Sequence, residues 1–340
     1  MSPATTPAIR LTGPGTLERV DLPVPEPGEG EVLLEVLAVG LCGSDGHWHR
    51  EGSIGDAAVG QGLVLGHEFS ALVGSGPNRG RRVAVDPAIP CLECEQCIAG
   101  RPNLCTDLRF AGHNCDGALR GRMVWPERCL VPLPDGLTDE EGALLEPLGV
   151  SLHAIDLAGP LEAASIGVIG CGPIGLLLIA GLRDLGCGRI VATDLLSHRL
   201  EVARDLGATD AIGGPSRDGG VDPLVRSAGP GFEVVFETAG TDAALHRALL
   251  AARPGGRVVL VGIPDGDRTS FTASLARRKE LTLTVCRRML PGDLARAAVL
   301  AERGIPGIDR LITHRYGLAG AAEAFDTLVT RRGIKVVVIP

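Results

Sequence analysis

An α/β protein of two units is predicted: a β-rich lobe followed by a doubly wound parallel sheet. Three observations predict it. Short strands punctuated by Gly and Pro run from Ala8 to about His153, apolar runs alternate with helix-like segments from Ala164 to Val285, and a Gly-rich turn joins the first apolar run to an apolar helix. Within the first stretch, Glu31 to Val39 partly alternates apolar and polar residues, the period of a half-buried strand, so the region reads as a partly open barrel. Within the second, Ile166 to Ile169, Arg189 to Thr193, Val234 to Phe236 and Val258 to Val261 read as strands buried on both faces, as in parallel sheets with right-handed crossovers. Leu176 to Leu185 reads as the helix after the first of these strands. The tail from Met289 carries helical segments, Gly292 to Arg303 and Gly320 to Arg331, and a last apolar strand, Lys335 to Ile339. The expected organisation is 1–153 for the β-rich unit, 154–288 for the parallel-sheet unit and 289–340 for a C-terminal segment.

A chain of 340 residues has room for two cores. Its net charge of -8 and pI near 5.5 supply no basic field, and no Lys/Arg run marks a nucleic-acid footprint. Met1 to Thr12 lacks the charged and apolar regions of a secretory signal, so a cytoplasmic location is expected. Ser165 to Leu182 is apolar enough to suggest a membrane span, but five Gly and a Pro interrupt it, and no membrane partner is expected. Ten cysteines, four of them clustered, favour metal binding over disulfides. Cys115, Cys129, Cys171, Cys187 and Cys286 read as packing residues.

Gly170-Cys171-Gly172-Pro173-Ile174-Gly175 follows the strand Ile166 to Ile169 and opens the apolar helix. A G-x-G-x-x-G in a chain with 48 glycines is weak alone, but here it sits between a strand and a helix, where its backbone can approach a pyrophosphate. Asp194 ends the next strand, placed to accept hydrogen bonds from ribose hydroxyls and to repel a 2'-phosphate, which favours NAD over NADP. A helix N-cap is the competing role for Asp194, but that role does not require this spacing. Arg199 can lie along the adenosine or stand solvated on its helix. Val261-Gly262-Ile263 ends a later strand at the same sheet edge and can reach the nicotinamide amide through its backbone.

Cys91-x2-Cys94-x2-Cys97-x7-Cys105 packs four thiols into fifteen residues, enough to close a tetrahedron around a structural zinc. An iron-sulfur cluster is the rival, but its pattern continues with x3-C-P, which this chain lacks. A second, different set lies elsewhere: Cys42 in a turn-like segment, His67 in Gly66-His67-Glu68, and Glu146 within an apolar run, where a carboxylate is penalised unless it pairs or binds metal. Such a mixed set leaves a coordination position open for chemistry, although spacing alone cannot bring it together.

These residues resemble the zinc-containing medium-chain alcohol dehydrogenases, especially their sorbitol and xylitol dehydrogenase branch. The resemblance runs from Pro25 to Pro340. It is carried by Gly40 to Asp45 with His47, Gly66-His67-Glu68, the four spaced cysteines, Glu141-Gly142-Ala143 with Glu146-Pro147-Leu148, the Gly170 to Gly175 fingerprint and Asp194. It implies a GroES-like catalytic domain, completed by the C-terminal segment, a Rossmann domain, an active site in the cleft, and assembly as a homodimer or homotetramer. It also implies two zinc ions per chain, the catalytic one on Cys42, His67 and a carboxylate, either Glu68 or Glu146. Ser44 would take the proton of the substrate hydroxyl and His47 would pass it to solvent, with Asp45 orienting a neighbouring ligand. Arg288 matches an arginine that contacts cofactor or substrate.

The implied reaction moves a hydride between NAD and a secondary alcohol, a polyol or cyclitol, giving the ketone. Two departures weaken the polyol reading: Trp48 stands where the branch has Tyr, and Arg287-Arg288-Met289 where it has Phe-Arg-Tyr. Less oxygenated secondary alcohols and ketones are therefore the alternative substrates. A metal-free reductase of the quinone-reductase kind lacks this ligand set, and a silent dinucleotide-binding protein has no need to keep it.

Overall fold

The computed structural model describes residues 4–54, 57–58, 60, 62–161, 164–214, 221–264, 266 and 268–340. They fall into two units, Met1–Gly149 with Leu290–Gly304 and Ile312–Pro340, and Val150–Met289 with Ile305–Leu311. Three boundaries differ from expectation. Residues 150–153 go to the second unit because the helix Leu145–Leu157 runs through the junction and Ser151 Oγ donates to the Ile174 carbonyl at 3.2 Å. Met289 joins them. The stretch 305–311, expected in the C-terminal segment of the first unit, also belongs to the second, where Arg310 pairs with Asp205.

In the first unit the strand Glu31–Gly40 is the hub, its burial alternating along its length as its sequence period requires. It pairs antiparallel with Glu68–Val73, Arg122–Pro126 and the C-terminal strand Lys335–Ile339. Arg82–Val85, Leu130–Pro132 and Ile312–Gly317 extend the sheet. Phe69, Trp125, Met123, Leu119 and Phe325 fill its core, and Trp125 Nε1 donates to the Asp86 carbonyl at 2.9 Å, so the buried indole leaves no unpaired donor.

The register matters for the site. Gly40 stands opposite both Glu68 and Val337, so the C-terminal strand and the Glu68 strand flank one glycine. A Cβ there would lie 2.6 Å from Glu68 Oε2 and 3.4 Å from Lys335 Cδ, and this is a position where absence of a side chain makes room for two buried charges.

The second unit holds a six-stranded, wholly parallel sheet in the order Asp210–Gly213, Arg189–Asp194, Ser165–Ile169, Phe232–Glu237, Ala252–Leu260, Thr282–Val285. Chain order runs outward from Ser165–Ile169 in both directions, which creates a crevice at the carboxyl end of that strand. The apolar stretch 165–182 resolves into this strand and the helix Pro173–Asp184, and among the described residues no helix is long and apolar enough to cross a membrane. The helix begins three residues earlier than Leu176 because Gly172 caps it and Pro173 fits its first position, where a missing N–H costs nothing. Asp210–Gly213 and Thr282–Val285 were not anticipated. They are short and mixed in polarity because they form the two edges.

Replacing Gly40 with alanine forces Glu68 or Lys335 to move in a packed interior. A loss of about 1–3 kcal/mol in unfolding free energy is expected, measured by urea denaturation.

Candidate metal centres and coenzyme site

Cys42 is the N-cap of the helix Gly43–Glu51 and leaves the hub strand two residues after Gly40. His67 immediately precedes the strand that begins at Glu68. Since Gly40 pairs with Glu68, the two chain segments meet here, and the donor atoms of Cys42, His67 and Glu68 all lie within 4.8 Å of one another. Thiolate, imidazole and carboxylate at that mutual distance suit a single zinc ion. Glu146 is buried nearby but is not one of the three whose donor atoms converge.

Asp45, fully buried, ties the segments together. Its Oδ2 accepts the Cys42 N–H at 2.9 Å, while its Oδ1 accepts the Gly66 N–H at 3.3 Å and stands 3.6 Å from His67 Nδ1. The Nε2 side of the imidazole therefore faces Ser44, whose Oγ is 3.5 Å away. Burial opposes protonation of His67, but the charge and hydrogen bond of Asp45, with help from Cys42, outweigh it and raise the imidazole pKa in the metal-free protein. His47 stands one turn beyond Ser44 on the same helix, with Nδ1 3.4 Å from Glu51 Oε1.

Cys91, Cys94, Cys97 and Cys105 form the second convergent group, around the short helix Glu95–Ile98. Backbone N–H groups of Cys97 and Thr106 lower the Cys94 thiol to about 6, while burial and the bond to Cys94 push Cys97 up to about 12. Four sulfurs leave no open position.

In the second unit, Gly170 to Gly175 turns at the crevice. Gly170 has φ 98°, and a Cβ on Gly175 would collide with the Gly170 carbonyl, so the turn admits no side chain at either place. Asp194 braces it: Oδ2 accepts the Cys171 N–H at 2.7 Å, and Oδ1 accepts the Leu196 N–H at 2.9 Å. Arg199 NH1 lies 3.9 Å from Asp194 Oδ2 and close over Gly172. Thr238 Oγ1 donates to the Ile169 and Gly170 carbonyls, and the Val261 and Gly262 N–H groups both donate to the Glu237 carbonyl, which brings Val261 to Ile263 beside the turn. Arg288 follows the edge strand Thr282–Val285, two residues after Cys286, whose N–H donates to the Leu260 carbonyl at 2.8 Å, and it lies in the left-handed region at φ 58°.

The family model described as zinc-binding dehydrogenase matches residues 173–303, and that described as the alcohol dehydrogenase GroES-like domain matches residues 28–135. Sorbitol dehydrogenase of Bacillus subtilis is 34% identical over 328 residues, covering 94% of this chain and 93% of that protein. The chain belongs to the zinc-containing medium-chain alcohol dehydrogenases, in their polyol branch. Solved relatives of this dehydrogenase carry either coenzyme. A zinc-binding dehydrogenase from Sinorhizobium meliloti bound to NADP superimposes with TM-score 0.88 at 30% identity, over 99% of this chain and 100% of that one. An Escherichia coli alcohol dehydrogenase complexed with NADH gives TM-score 0.89 at 26% identity, over 99% and 100%.

The dehydrogenase's metal-binding lobe contains a residue that sequence reasoning passed over. Lys335 opens the C-terminal strand, is 1% exposed, and its Nζ pairs with Glu68 Oε2 and donates to the Leu41 carbonyl at 3.1 Å. Burial works against its charge, but Glu68, Cys42 and Glu146 together raise its pKa. The signal was a lysine at the head of a run of β-branched apolar residues. Phe110 and His113 were also missed: the Phe110 ring lies 5.4 Å from that of His67, and the His113 ring meets Trp48 edge-on at 5.7 Å.

Substituting Lys335 with methionine leaves Glu68 buried without its cation. In the metal-free protein about 3–5 kcal/mol of stability should be lost, less when zinc is bound, and the Glu68→Gln, Lys335→Met double variant should lose less than the two single losses combined.

Burial, the largest influence, raises the Glu146 carboxyl to about 8 in the metal-free protein. A carboxyl protonated in the folded state and ionised in the unfolded one makes stability fall as pH rises from the usual carboxylate range to about 8, and level off above it. Urea midpoints of metal-free protein from pH 5 to 9 should show a decline to which the raised His67 pKa adds, and Glu146→Gln should make it shallower.

Proposed function

We propose that the chain oxidises a polyol at a secondary carbon to the ketose, and reduces the ketose in reverse, using NAD and a zinc ion held by Cys42, His67 and Glu68. The convergence of those three donor atoms within 4.8 Å carries this reading. When bound, zinc supplies the Lewis acid that makes an alcohol hydroxyl acidic near neutral pH, and NAD supplies the hydride acceptor. The chain's own residues do the rest. Ser44, the hydroxyl beside the donor set, takes the substrate proton, and His47 passes it to solvent. Asp45 holds the His67 ring with its Nε2 side toward Ser44. Glu146, buried within the electrostatic reach of His67 and Glu68, would supply a second carboxylate to the metal. Cys91, Cys94, Cys97 and Cys105 hold a structural zinc.

Gly170, Gly172, Pro173, Ile174 and Gly175 cradle the pyrophosphate, Asp194 binds the adenosine ribose, Arg199 covers the adenosine, and Val261, Gly262 and Ile263 receive the nicotinamide amide. NAD is preferred over NADP because a 2'-phosphate would face the Asp194 carboxylate. Arg288 contacts coenzyme or substrate; its left-handed backbone supports a constrained position. Met1–Gly149 with Leu290–Gly304 and Ile312–Pro340 serve as catalytic domain, and Val150–Met289 with Ile305–Leu311 as coenzyme domain. Assembly as a homodimer or homotetramer is supported by the edge strand Thr282–Val285, where Val285 is 73% exposed. A cytoplasmic location is supported by cysteines grouped as a metal-ligand set.

Purified protein should contain two zinc ions per chain and form NADH with sorbitol or xylitol, and a strong chelator should abolish turnover. Cys42→Ser should retain one zinc, the cysteine-held one, by elemental analysis, and lose activity at least a hundredfold. Chelator-resistant turnover, or equal loss of both metals in Cys42→Ser, would falsify the assignment.

A further inference from the structure

A polyol carries hydroxyls on the carbons flanking the one being oxidised, and each hydroxyl taken out of water needs a partner. Around the metal donor set three side-chain contacts and two short stretches of chain link Ser44, His67, Phe110, His113 and Trp48. Ser44 Oγ reaches His67 at 3.5 Å, His67 packs on Phe110, the same loop carries His113, His113 meets Trp48 edge-on at 83°, and Trp48 returns to Ser44 through one turn of the helix Gly43–Glu51. Phe110 brings no hydrogen-bonding group, and Trp48 has a donor but no acceptor.

We propose that His113 is a specificity residue that hydrogen-bonds a substrate hydroxyl next to the reacting carbon; this rests on the polyol reading above. An imidazole has two nitrogens, so one can serve a contact within the protein while the other serves the substrate. The loop that presents it is braced in advance. Asn114 Oδ1 accepts the Phe110 N–H and Asn114 Nδ2 donates to the Leu108 carbonyl, both at 2.7 Å. The Gly112 N–H donates to the Cys115 carbonyl at 2.8 Å, the His113 N–H to the Phe110 carbonyl at 3.1 Å, and the Ala111 N–H to the Pro87 carbonyl at 3.0 Å. Substrate therefore does not have to order the residue that recognises it. With no tyrosine at position 48, the second nitrogen of His113 adds one donor or acceptor, set by its tautomer, beside Trp48.

The test compares xylitol and sorbitol with cyclohexanol on zinc-loaded wild type, His113→Phe and His113→Asn, with zinc content, NAD affinity and Tm recorded for each. In His113→Phe, KM for the polyols should rise about five- to tenfold, with kcat, zinc content, NAD affinity and the cyclohexanol KM within twofold of wild type. His113→Asn should recover part of the polyol KM. If His113→Phe does not fold, His113→Ala should give the same polyol-selective rise. Polyol and cyclohexanol KM values that move together, or a polyol KM that stays put, overturn the role of His113 alone. A wild type that oxidises cyclohexanol but no polyol overturns the substrate class and this proposal with it.

Discussion

Half-buried Cys42 and buried Glu68 converge with His67, Glu146 is buried near them, and the lobe must compensate the negative charge these acidic groups would carry. One buried carboxylate without a partner costs several kcal/mol, so two carboxyls beside a thiol require cations or protons. The chain supplies one of each. Lys335 brings a fixed cation to Glu68, and burial keeps the Glu146 carboxyl protonated near neutral pH while the metal is absent. A divalent ion fits the remaining demand, because it meets thiolate, imidazole and carboxylate at once. The last strand of the chain is thus an electrostatic component of the site as well as a piece of sheet. Its register against Gly40 sets where its lysine falls.

Different donor chemistry separates the two metal centres. Four sulfurs from one short segment can saturate a tetrahedron and fix local geometry. The mixed centre draws its donors from a helix N-terminus and a strand, so it exists only when the sheet has formed. Asp45 couples those two events. Its carboxylate bonds the backbone at Cys42 and at Gly66 and sets the orientation of the His67 ring, so helix start, turn and ligand are positioned by one buried side chain.

Much of this was legible in the chain because the constraints are local. The fingerprint shows its steric constraint in its glycines, since Gly175 cannot carry a Cβ without striking Gly170, and Asp194 follows at the distance set by one helix and one strand. The cysteine cluster is equally local. What escaped depends on long-range register. Glu68 and Lys335 are 267 residues apart in sequence, and only the pairing of two strands across Gly40 joins them. The choice between Glu68 and Glu146 as third donor was open for the same reason, and geometry now favours Glu68 for the convergent set. The edge strands Asp210–Gly213 and Thr282–Val285 were passed over because an edge needs neither length nor continuous apolar character.

The departure at Trp48 takes on a different meaning once its neighbour is known. Read alone, tryptophan in place of tyrosine removes a hydroxyl and points away from oxygen-rich substrates. The fold sets an imidazole against the edge of that indole, in a loop pinned by both functional groups of Asn114, so the loss on one element is met by a gain on another. Recognition of a hydroxyl depends on a donor or acceptor standing at the right point in space, not on which segment supplies it. A substitution that seems to change substrate class can leave it intact when a second position, remote in sequence and adjacent in the fold, carries the lost function.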